Sequence, residues 1–151
     1  MNKNLRMGGL LLCVLMSNAF GACSEPEQNI TGSTGNSLFA LRMEAEKNWV
    51  REDDDLPIRV TLQSLTGAFL EQRTERIEFL VNNGSVSPSS LTVTFEARDD
   101  SLGITGDTSQ SEWITFSADP RAYSSSIQGE VIALFEDLQV TYKIRFVDED
   151  G

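Results

Sequence analysis

Clusters of carboxylates are the residues in this chain whose type and spacing point most directly to chemistry. Glu52-Asp53-Asp54-Asp55 precedes an apolar-alternating stretch, Asp99 and Asp100 lie in a long polar stretch with Asp107, and Asp148-Glu149-Asp150 falls at the end. Hard oxygen donors of this kind suit calcium, which takes about six to eight oxygens. The expected site combines Asp53, Asp54 and Asp55 with Asp99 and Asp100, on the premise that loops at one end of a domain converge. The competing reading is solvated turns, and the spacing of an EF-hand loop is not matched. Carboxylate pairs also hydrolyse glycosidic bonds, but nothing in the sequence singles out such a pair. The chain has no histidine. The commonest general base and transition-metal ligand is therefore missing, and a Ser-His-Asp triad cannot be assembled. No cofactor other than calcium is expected.

The two tryptophans, Trp49 and Trp113, are distant in sequence. Trp113 precedes the alternating row that starts at Ile114 and is expected on the opposite face from it. It is either an exposed binding anchor, since tryptophan is enriched at interface hot spots, or a residue that covers a sheet edge or caps the core. Asn83-Gly84 is a tight-turn signal because both residues tolerate positive φ. Ser124-Ser125-Ser126 has no basic partner and reads as a loop.

The elements that must position these residues begin after an N-terminal segment of a different kind. Lys3 and Arg6 precede an apolar run, Gly8 to Met16, that is too short to span a bilayer. Small residues follow, where a secretory signal is cut. Gly21-Ala22-Cys23 resembles the lipobox of bacterial lipoproteins, with Phe20 where leucine is usual. The resemblance implies that Cys23 becomes the diacylated first residue of an exported protein held to the membrane by lipid. Ser24 in the next position implies, in enterobacterial lipoproteins, the outer membrane. The alternative is an ordinary signal cut after Ala22, which leaves Cys23 as a free thiol in an oxidising compartment. Cys13 lies within the apolar run, so no disulfide is expected in the mature chain.

The formal net charge is −11, and the mature part is more acidic still, because Lys3 and Arg6 precede the cut while every acidic residue follows Cys23. Such a surface repels nucleic-acid phosphates and anionic head groups. Expected partners are the membrane, through the lipid, and another protein; nucleic acid is not one.

Residues 24–37 are polar and rich in Gly, Ser and Asn, and read as a flexible tether. From residue 38 the pattern has period two. Apolar rows run Phe39 to Ala45, Ile58 to Leu62, Ile77 to Val81, Leu91 to Ala97, Ile114 to Ala118, Ile127 to Ala133 and Val140 to Phe146. These predict about seven half-buried strands. Leu65 to Glu75 is ambiguous, with Thr66-Gly67 favouring a loop. The expected organisation is a signal peptide over 1–22, a lipidated cysteine and tether over 23–37, and one all-β antiparallel sandwich over 38–151.

Two stretches resemble bacterial immunoglobulin-like domains of the invasin and intimin kind. LPIRVTLQS (Leu56 to Ser64) and RIEFLVNNGSVSP (Arg76 to Pro88) look like their paired strands, and Ser124 to Val147 is similar to their closing hairpin. Asp99 to Glu112 departs from that pattern, being longer and more acidic. The resemblance implies an Ig-like β-sandwich acting as a non-catalytic binding or adhesion module in the cell envelope. The alternatives are a structural spacer or assembly subunit of a larger envelope complex, and a carboxylate-dependent hydrolase.

Overall fold

The computed structural model describes residues 30–123 and 128–147. Cys23, Ser124-Ser125-Ser126 and Asp148-Glu149-Asp150 lie outside the described residues. Ten strands are present among them: β1 (Ile30–Gly35), β2 (Phe39–Ala45), β3 (Trp49–Val50), β4 (Asp55–Ser64), β5 (Arg73–Asn82), β6 (Gly84–Ser87), β7 (Ser90–Phe95), β8 (Ser109–Ala118), β9 (Gly129–Phe135) and β10 (Leu138–Phe146), with one short helix, α1 (Pro120–Tyr123). They form two five-stranded sheets, ordered β1-β2-β4-β8-β6 and β3-β10-β9-β5-β7. The fold is an all-β sandwich. The β4·β8 pairing in one sheet and the β5·β9·β10 run in the other match strands B, E and C, F, G of the immunoglobulin arrangement.

Each of the seven alternating rows is a strand, and alternation sets which face is buried. Phe39, Leu41 and Met43 of β2 and Ile58, Val60 and Leu62 of β4 point inward, against Ile77, Val131, Tyr142 and Ile144 of the second sheet. All are at most 1% exposed, so the interleaved rows form one apolar layer. Leu80, out of phase with its row, stands on the outer face.

Three strands depart from the sequence reading. β1 lies inside the stretch expected to be tether, so the strands of the sandwich include residues before 38. Its six residues pair antiparallel with β2, from Ile30↔Ala45 to Gly35↔Ala40. An edge strand needs main-chain partners more than apolar side chains, so its polar composition hid it. β3 pairs in parallel with β10 through Arg145↔Trp49 and Phe146↔Val50, so the chain passes from β2 in one sheet to β3 in the other. β6 follows β5 directly but belongs to the opposite sheet, pairing with β8 from Gly84↔Ala118 to Ser87↔Thr115. Asn83-Gly84 is therefore a corner between sheets, with Asn83 in the left-handed region at a φ of 58°. A β-carbon on Gly84 would lie 2.5 Å from the Phe116 ring, so only glycine lets the main chain pass there.

The two stretches that resemble paired Ig-like strands do not pair with each other: β4 pairs with β2 and β8, β5 with β7 and β9, and β6, at the end of the second stretch, with β8. The closing stretch does contain a hairpin, β9–β10, from Phe135↔Leu138 to Gly129↔Ile144.

Candidate functional site

The outer face of the β1-β2-β4-β8-β6 sheet is built by the residues that alternate with the core rows. Along β4 these are Arg59, Thr61 and Gln63, and register sets their neighbours: Glu44, Arg42 and Ala40 on β2, Trp113, Ser111 and Ser109 on β8. One cross-strand row therefore reads Glu44, Arg59, Trp113. The Arg59 guanidinium donates to the Glu44 carboxylate. Arg42 holds the other oxygen of that carboxylate at 2.7 Å. The Arg59 guanidinium also stands 6.0 Å from the centre of the Trp113 ring, at the outer limit of cation–π contact.

Trp113 is 56% exposed and lies on β8 just beyond the residues that β6 pairs with, Thr115 to Ala118. Next to this row lies a shallow groove of about 520 Å³ lined by Ser33, Arg42, Glu44, Arg59, Thr61 and Ser111 among others. The Thr61 and Ser111 hydroxyls bond each other at 2.8 Å across the strands. Two guanidiniums and one carboxylate make this row locally cationic on a chain whose net charge is −11. The arrangement offers an aromatic face for stacking, guanidinium donors and hydroxyls that donate or accept. Trp49, the other tryptophan, is half-buried on β3 with the Lys47 ammonium 4.1 Å above its ring.

The expected calcium site is not assembled. Asp53, Asp54 and Asp55 lie at the start of β4; Asp99 and Asp100 lie in the loop between β7 and β8, which enters β8 at Ser109 beside Gln63. Asp55 and Gln63 are separated by eight residues of β4, about 26 Å at about 3.3 Å per residue. The two clusters therefore occupy opposite ends of the sandwich. Strand direction is the cause, because the loop before β4 and the loop before its antiparallel partner β8 must be at opposite ends. Each cluster is occupied locally. Asp53 takes a left-handed φ of 64° in the turn. Asp54 faces the Lys47 ammonium at 3.9 Å, and Asp55 accepts the Ser117 hydroxyl at 2.5 Å. Asp99 accepts both the hydroxyl of Ser101, at 2.6 Å, and its main-chain N–H, at 2.9 Å. Those bonds hold the Asp99 carboxyl below the usual aspartate range, the hydroxyl contributing most. Asp100 pairs with Arg98 at 3.0 Å. Among the described residues, no three Asp, Glu, His or Cys side chains come together as a metal site would require.

The groove residues Arg42, Glu44 and Arg59 were not singled out from sequence. The signal was present as the polar phase of two alternating rows, but only pairing shows that those phases share a face with Trp113.

No family model matches the sequence. No curated protein matches it. Among solved structures, the chain has a likeness to a family 123 glycoside hydrolase from Clostridium perfringens, described for glycolipid glycan hydrolysis, at a TM-score of 0.26 and 10% identity. That likeness covers 81% of this chain and 27% of the other, so the chain spans about a quarter of that protein's length. At this similarity nothing about activity transfers. Among the described residues, no helix is long and apolar enough to cross a membrane.

Proposed function

We propose that this protein is a non-catalytic, lipid-anchored binding module of the bacterial cell envelope, engaging its ligand through the outer face that carries Trp113. The exposure of Trp113 beside the Arg59–Glu44 pair and the hydroxyl-lined groove carries the reading. The Trp113 ring stands in water beside guanidinium and hydroxyl groups on a polar sheet face, and tryptophan and arginine dominate binding hot spots. The absence of histidine and the Gly21-Ala22-Cys23 sequence support the non-catalytic and anchored parts.

Affinity purification of the full chain from cells, compared with Trp113→Ala, tests the face. The expected result is a partner whose recovery falls about tenfold or more in the variant, as loss of a hot-spot side chain predicts. Equal recovery would remove Trp113 from the binding surface. Fatty-acid labelling of Cys23→Ser tests the anchor. Serine cannot receive the diacylglyceryl group through a thioether, so labelling and membrane retention should both be lost. A variant that still carries label would refute lipidation at Cys23.

A further inference from the structure

Five large apolar side chains stand in solvent at the end of the sandwich where β4 finishes and β5 and β8 begin. Leu38, Leu65, Leu70, Leu102 and Ile104 are each between 46% and 75% exposed. Single exposed leucines are ordinary; five on the loops of one end are a concentration of apolar surface of the kind that marks interaction sites. The loops are bound to one another. The Leu65 N–H donates to the Leu38 carbonyl at 2.8 Å, and the Arg98 N–H donates to the Phe69 carbonyl at 2.7 Å. Gly106, at φ 68°, lets them approach, since a β-carbon there would lie 2.8 Å from the Arg98 nitrogen and 2.9 Å from Ala68. Beneath them Phe69 packs edge-on to Phe95, ring centres 5.3 Å apart.

Acidic side chains outnumber basic ones around these side chains. Glu71, Glu96 and Asp100 are exposed on these loops, and Glu136 and Asp137 on the adjoining turn between β9 and β10, which reaches Arg73 and Asn36. Arg73 pairs with Glu75 and Glu136, and Arg98 with Asp100, which leaves Glu71, Glu96 and Asp137 as carboxylates with no ion pair to these arginines. An acidic rim around apolar side chains complements cationic charge around apolar side chains. It repels anionic lipid, and it repels the same end of a second copy. We infer that this loop end docks a protein segment presenting lysine or arginine side chains around exposed leucines or aromatics. This surface is separate from the Trp113 face and does not depend on it.

The test titrates the full chain with an amphipathic lysine/leucine peptide, reading affinity by calorimetry and location by amide NMR. The expected result is saturable binding with shifts at residues 65–72 and 96–108, weakened in about 0.5 M salt, where charges are screened beyond a few ångströms. Leu70→Ser with Leu102→Ser should weaken it about tenfold or more; both side chains are exposed, so the fold is kept. Glu71→Lys, which removes no apolar contact, should weaken it as well. Shifts centred elsewhere, or unchanged affinity in both variants, would overturn the inference. So would equal binding of the same peptide with glutamate replacing lysine. Binding of phosphatidylglycerol vesicles at this end would assign it to membrane instead, and self-association abolished by the leucine substitutions would assign it to a second copy.

Discussion

The Tyr142 hydroxyl donates to the main-chain carbonyl of Lys47 at 3.1 Å, tying β10 to the link where the chain passes from β2 in one sheet to β3 in the other. Tyr142 is otherwise enclosed by the core. Burial pushes its hydroxyl up to about 12 from the usual 10.0, because the phenolate would lose its water.

Removing that hydroxyl in Tyr142→Phe should cost about 0.5–1.5 kcal/mol of stability, the net value of one hydrogen bond. The pH dependence has a definite sign. Below the unfolded value near pH 10 the tyrosine is protonated in both states and its contribution is complete. As pH rises from there toward about 12, the unfolded chain ionises first, and stability falls. Urea unfolding at a series of alkaline pH values should show a steeper loss for the wild type than for Tyr142→Phe. Parallel curves would mean that the hydroxyl is not shielded.

Val131 is fully buried on β9, opposite Val81 on β5 and Tyr142 on β10. Val131→Asp places a carboxylate with no cationic partner between them. The expected loss is several kcal/mol, enough to unfold a domain of ordinary stability, about 5–15 kcal/mol. Circular dichroism should show loss of the β spectrum at neutral pH; a folded variant would require Val131 to face outward.

Gly84→Ala should destabilise the corner between β5 and β6. The added carbon meets the Phe116 ring at 2.5 Å and the Ser117 carbonyl oxygen at 2.6 Å, and main chain cannot swing aside as a flexible side chain can. A cost of about 1–3 kcal/mol is expected, as for other overpacked sites. It should appear as a lowered urea midpoint with an unchanged slope. An unshifted midpoint would show that the corner relaxes freely.

Millimolar calcium should leave the melting temperature where sodium chloride of equal ionic strength leaves it. Asp53, Asp54 and Asp55 stand a strand's length from Asp99 and Asp100, so no shared site exists to be stabilised by mass action. A rise specific to calcium, lost in Asp54→Asn, would show that the Asp53–Asp55 turn binds the ion by itself.

The rows of alternating residues were legible because period two is a local property. Side chains at i and i+2 share a face whatever the strand pairs with, so the inward sets of β2, β4, β5, β7, β8, β9 and β10 follow from spacing alone. The weak rows were not legible for the same reason. Ile30–Gly35 lacks apolar alternation and is held by main-chain pairing to β2, which composition does not record. Asn83-Gly84 carries the signal of a tight turn, but the same left-handed geometry serves a corner between two sheets.

By itself, then, the sequence determined an all-β chain, its buried rows, its acidity and its lack of histidine, all consequences of residue type and local spacing. Tertiary structure decided which strands pair, and with that every relationship between distant residues. It put Trp113 across from Arg59 and Glu44, and it sent the two aspartate clusters to opposite ends. The physical reason is register: antiparallel pairing of β4 with β8 depends on contacts some 50 residues apart in the chain, as between Thr61 and Ser111, and those are formed only when the whole core closes.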